Sequence, residues 1–186
     1  MALTLFSRRP EPPAAEPKPW PEIGETWTPE GVTVVERYTN QAGAVVLVYT
    51  AAQPNWYNIA CLGCHFTKAS NKFGTRSWLI LQEAAGTANE HATHCRALPR
   101  EIPARPDDDT ARERLHQWLS DRRNRTRDQQ IVIESMDSFR LHLQRTDDWI
   151  AAALQQLAVD QPEVLRIERS QYSDHVSYYA RRLPQD

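Results

Sequence analysis

Cys61 and Cys64 stand three residues apart and are followed, after 26 intervening residues, by His91 and Cys95, four apart. Three thiols and an imidazole are the donors that zinc prefers, and four of them close its tetrahedral shell with no position left for water. Such a closed set implies a structural ion, one that fixes chain segments together rather than one that turns over a substrate. In Cys61-Leu62-Gly63-Cys64 the small Gly63 lets the backbone turn so that both sulfurs face one point. Positions four apart on a helix differ in direction by about 40°, so a helix through His91 and Cys95 presents both from one face. His94 points roughly 100° away from Cys95 on that helix and is the weaker ligand. One rival chemistry shares the first pair: Cys61 to His65 reads CLGCH, the attachment motif of a c-type haem. It leaves His91 and Cys95 without a role.

Elements of opposite character must position these groups. Val32, Val34, Glu36 and Tyr38 alternate with Thr33, Val35, Arg37 and Thr39; Asn40-Gln41-Ala42-Gly43 breaks the pattern, and an apolar, β-branched run follows over 44–50. This predicts a hairpin. A third strand over 56–60 leads into Cys61, giving a three-stranded antiparallel meander. From Ser77 to Ala97, apolar residues recur at spacings of three and four, which predicts a helix that Gly86 weakens and that divides there into two pieces.

The sequence CLGC followed by NEHATHCRALP is similar to short, uncharacterised zinc-finger-like proteins of GC-rich bacteria that carry a CxxC…HAxxCRALP module. The similarity covers residues 56–99, about a quarter of the chain. It implies Cys61, Cys64, His91 and Cys95 as the ligands of one zinc ion and implies no activity.

The rest of the chain divides by composition. Residues 1–21 are expected to form a disordered Pro-rich arm, whose prolines over 8–21 favour extended polyproline II. Residues 22–98 hold the expected zinc-stabilised meander and helix, 99–109 form a Pro- and Asp-rich linker, and 110–184 form a mixed α/β region; the whole is an α+β chain. In the last part a helix begins at Thr110 with Asp109 as its cap, and Leu115, Trp118 and Leu119 form its apolar stripe. Phe139, Leu141 and Leu143 alternate like a short strand, although the stretch 128–145 also fits a helix. Trp149–Leu157 is an amphipathic helix with Asp147 and Asp148 in its first turn, and 164–169 with 176–181 alternate like a final hairpin.

The net charge of −2 provides no global attraction to nucleic acid or to an anionic membrane, and no stretch reaches the roughly 18 apolar residues of a membrane helix. Without an export signal, and with three cysteines, a cytoplasmic location and a metal site are expected rather than a disulfide framework. The basic run Arg122, Arg123, Arg125 and Arg127 can neutralise phosphates, but Asp107, Asp108, Asp109, Asp121 and Asp128 flank it and offset its field. Arg166, Arg169, Arg181 and Arg182 with Tyr172, Tyr178 and Tyr179 make a second basic-aromatic group near the C-terminus. No P-loop, dinucleotide-binding or hydrolase motif occurs. The reading is a non-enzymatic zinc-containing module that binds a protein, with nucleic-acid binding through Arg122–Arg127 as the alternative and an enzyme with an unrecognised site in the C-terminal half as the third.

Overall fold

Every residue of the run Val45–Thr50 is buried, because both faces of this strand are covered. In the computed structural model, residues 24–51, 55–69, 79–133, 136, 138–170 and 176–184 are described. The Pro-rich arm, Ser77 and Trp78, Tyr172 and much of the final hairpin's turn lie outside them.

The strands β1 (Thr33–Thr39), β2 (Val45–Thr50), β3 (Tyr57–Cys61) and β4 (Thr67–Lys68) form an antiparallel meander in the order β1-β2-β3-β4. The β1–β2 turn falls on Asn40–Gly43 as expected. The Asn40 carboxamide oxygen accepts from the amides of Ala42 and Ala44, and Gly43 takes a φ of +88° that a side chain would disfavour. A bulge between Val34 and Glu36 leaves Val35 unpaired and 40% exposed. The sheet has one strand more than the sequence predicts, because the chain reverses through the Cys61–Phe66 turn and pairs Thr67 and Lys68 back onto β3.

Helix α1 (Leu81–His94) covers one face of the sheet. Its buried residues are Ala84, Ala88 and Ala92, one turn apart, which bring its axis close to Val46, Val48 and Ile59. Burying each of those three side chains contributes about 1.5–3 kcal/mol. The helix is shorter than the sequence predicts within the described residues and runs unbroken through Gly86. Cys95 is already extended, with φ −69° and ψ 135°. The opposite face packs Val45, Leu47, Tyr49 and Ala60 against Trp27, Val34, Leu62 and Leu141.

The second half contains α2 (Asp108–Ser120), β5 (Gln129–Ile131), α3 (Phe139–Leu143), α4 (Asp147–Asp160), β6 (Leu165–Arg169) and β7 (Val176–Ala180), with the sheet order β5-β7-β6. The helices and this sheet share a core of Leu115, Trp118, Leu119, Ile150, Leu154, Leu165 and Tyr178. Helix α2 starts two residues earlier than the sequence predicts, because Asp107 rather than Asp109 caps it by accepting from the Thr110 amide at 2.7 Å. Residues 139–143 are helical, not a strand. Two positions apart on a helix are about 200° apart in direction, and Leu141 and Leu143 pack into different cores. A short helix sandwiched between two apolar surfaces therefore carries the alternation of a strand.

Candidate metal centre

Strand β3 ends at Cys61, and the turn after it is tied down on both sides. The Cys61 amide donates to Phe66 O at 3.0 Å and the Leu62 amide to Val45 O at 2.8 Å. Gly63 does not take a positive φ here. It is small because the turn lies against its neighbours: a Cβ at this position would meet the Ala44 Cβ at 2.5 Å and Leu98 O at 3.0 Å.

Helix α1 brings the second pair. The Cys95 amide donates to His91 O at 2.8 Å, so Cys95 closes the last turn even though its own backbone is extended. Asn40 of the β1–β2 turn donates to Ala97 O at 2.9 Å and holds the chain that leaves the helix.

The donor atoms of Cys61, Cys64, His91 and Cys95 all lie within 4.8 Å of one another, with Cys64 Sγ 3.3 Å from His91 Nε2. A tetrahedral zinc shell with bonds near 2.0–2.3 Å separates its ligand atoms by about 3.4–3.8 Å, so the set can hold one metal ion with small adjustment. Exposed His94 lies outside the cluster, its Nδ1 2.9 Å from Glu90 O. His65 also lies outside: it is exposed, and the Arg100 guanidinium stands 3.1 Å from its ring. The pair Cys61 and Cys64 thus faces His91 and Cys95, while the histidine of the haem-type motif does not join them.

Backbone amides point at the sulfurs, with different outcomes at Cys95 and Cys61. The Gly63 and Cys64 amides donate to Cys61 Sγ at 3.4 and 3.5 Å, and the Phe66 amide donates to Cys64 Sγ at 3.4 Å. The Ala97 amide is the main cause that lowers the Cys95 thiol below its ordinary value. Burial has the opposite effect at Cys61 and pushes its thiol up to about 11, against those two amides. Burial also lowers His91, which keeps its imidazole neutral and fit for coordination. The Phe66 ring stacks on that imidazole, with centroids 4.0 Å apart and planes 11° from parallel.

The arginines of the basic run do not act together. The Arg122 guanidinium lies over the Trp118 ring at 3.6 Å, and Arg123 donates to the carbonyls of Arg181, Glu163 and Arg182. Arg125 and Arg127 are exposed. In the second basic group, Tyr178 is buried in the core and Arg166 lies over Tyr179 while pairing with Asp128.

Three features arise from contacts too distant in sequence for a local pattern to signal. One is a cavity of about 380 Å³ beside the cysteine turn, lined by Trp27, Leu62, His65, Arg100, Leu141 and His142 among others. Another is the pair of buried arginines, Arg140 and Arg145. The third is a trough between the turn after α2 and the end of β7.

The chain matches no family model, no curated protein and no solved structure. Among the described residues no helix is long and apolar enough to cross a membrane.

Proposed function

We propose that Cys61, Cys64, His91 and Cys95 bind one structural zinc ion and that the chain is a non-enzymatic binding module whose partner is a protein. The observation that carries the metal is the convergence of four donors within 4.8 Å, from one tight turn and one helix end. All four are protein groups of the type zinc prefers, so the ion keeps no open position and serves to fix α1 to the end of β3. The CxxC…HAxxCRALP pattern of residues 61–99 supports the same ligands. A protein partner is supported by β1, which lies at the sheet edge and exposes Val35; edge strands offer free backbone groups to an added chain. A cytoplasmic location agrees with three cysteines that serve a metal.

Metal analysis of the purified full chain tests the first part. One equivalent of zinc is expected, with the loss of bound metal in Cys95→Ser. Protein free of zinc, or one with the Soret band of a haem, overturns it. For the partner, immobilised full-chain protein should retain a protein that Val35→Lys releases. Retention of nucleic acid alone, lost at raised salt, replaces this reading with the nucleic-acid one.

A further inference from the structure

The turn after α2 and the residues after β7 are stitched together by backbone. Leu183 N–H donates to Asn124 O at 2.8 Å, Arg182 N–H to Asp128 Oδ1 at 3.0 Å, and Arg123 Nε to Arg181 O at 2.8 Å. The Asn124 side chain in turn accepts from the amides of Thr126 and Arg127. A shallow trough of about 740 Å³ runs along this seam, and Arg127, Arg181 and Arg182 line it. Among the described residues the guanidinium groups of these three make no hydrogen bond and no ion pair, although the Arg181 charge helps to hold the Asp128 carboxyl below its usual range. Two carboxylates share the trough. One of them, Asp128, is engaged by Arg166 at 2.7 Å and by the Arg182 amide. Arg123, also in the wall, is spent on backbone carbonyls. The frame is therefore fixed by one set of polar groups, while three guanidinium-bearing side chains and the Glu163 carboxylate remain along the trough, a balance that is still cationic.

We propose that Arg127, Arg181 and Arg182 form a phosphate-binding trough for a nucleic-acid backbone. Guanidinium forks match phosphate oxygens in pairs and stay charged at every physiological pH. A small phosphorylated ligand is normally enclosed over most of its surface, whereas this depression opens widely to solvent and suits a polymer laid against it. The site is not the basic run visible in the sequence: Arg122 and Arg123 are structural, and two of the three contributors come from residues more than 50 positions further on. It is independent of the metal centre and of any protein partner.

Fluorescence anisotropy with the full chain and a labelled 20-base-pair duplex tests this. Binding should weaken with salt with a slope of log K on log salt of about −2.7, from roughly 0.9 per phosphate contact. The triple variant Arg127→Ala, Arg181→Ala, Arg182→Ala should lose at least about tenfold in affinity and most of that slope. Arg169→Ala, which removes a charge at the far end of β6, should bind within about twofold of wild type, since only the weak long-range field changes. Should the triple variant fold poorly, Arg127→Glu alone must weaken binding by more than Arg169→Ala does. Absence of binding, wild-type affinity in the trough variants, equal affinity for polyglutamate, or a mononucleotide that binds as tightly as the duplex each overturns the proposal.

Discussion

Each of the three sulfurs has the amide two residues ahead of it turned inward: Gly63 for Cys61, Phe66 for Cys64, Ala97 for Cys95. That repeated placement gives each sulfur a hydrogen-bond donor, which lowers the Cys95 thiol and at Cys61 works against burial, and it depends on the backbone rather than on the cysteines alone. Gly63→Ala tests the dependence. The new methyl would press on Ala44 and on Leu98 O, and the turn must shift, at a cost of about 1–3 kcal/mol. Zinc affinity, measured by competition with a chelator, should fall together with stability; unchanged affinity would show that the turn has slack. The four clustered donors were legible because their spacing is local, a turn pair and a helix pair. The residues that orient them were not. Phe66 meets His91 over 25 positions and Asn40 reaches Ala97 over 57, separations at which a sequence carries no periodic signal. Gly63 was legible as a necessary glycine, but for space rather than for a left-handed backbone.

At the scale of elements, α1 is held by its two ends and by an alanine seam. It buries little of its own volume, since Ala84, Ala88 and Ala92 are its core side chains. Gly86 lies within the helix, yet nothing stands within 4 Å of where its Cβ would be. Gly86→Ala should therefore stabilise the chain by about 0.5–1 kcal/mol through the entropy of the unfolded state and helix propensity. Thermal unfolding should shift upward by about 2–4 °C per kcal/mol, with the metal content unchanged; a lower midpoint would mean that α1 needs flexibility at its second turn. The hairpin of β1 and β2 was readable from alternation and an Asn/Gly turn, and the stripe of α2 from its apolar spacing. Helix α3 stayed open between strand and helix, because Leu141 and Leu143 satisfy two cores on opposite sides and so imitate a strand. Period-two patterning reports two-sided burial, and a short helix between two surfaces achieves that as well as a strand does.

Across the whole molecule, two arginines, each only 1% exposed, tie α3 and the residue after its cap to other segments: Arg140 to Gly31 ahead of β1, and Arg145 to Pro106 and Asp108 at the start of α2. They are not equivalent. Arg145 donates to Pro106 O at 2.7 Å, to Gln144 O at 2.9 Å and to Asp108 Oδ1 at 2.8 Å, and its guanidinium lies 5.1 Å from the Trp149 ring centre. Arg140 Nη2 donates to Gly31 O at 2.8 Å and stands 2.5 Å from Asp147 Oδ1, while its Nε and Nη1 find no hydrogen-bond partner among the described residues. A buried guanidinium recovers its desolvation cost only when its donors are used. Arg145→Met, which strands buried carbonyls, should cost about 2–4 kcal/mol. Arg140→Met removes two unsatisfied buried donors but leaves the buried Asp147 Oδ1 and Gly31 O without their donor, and should cost less than Arg145→Met. Urea unfolding at neutral pH distinguishes them, and an equal or inverted order would mean that the contact with Gly31 and Asp147 is the stronger tie. The Arg145 bond also holds the Asp108 carboxyl below its usual range. A depressed carboxyl stabilises the fold above its unfolded value, and that contribution disappears as pH falls through the folded value. The gap between wild type and Arg145→Met should accordingly narrow in acid, while the gap between wild type and Gly86→Ala, which involves no titrating group, should not.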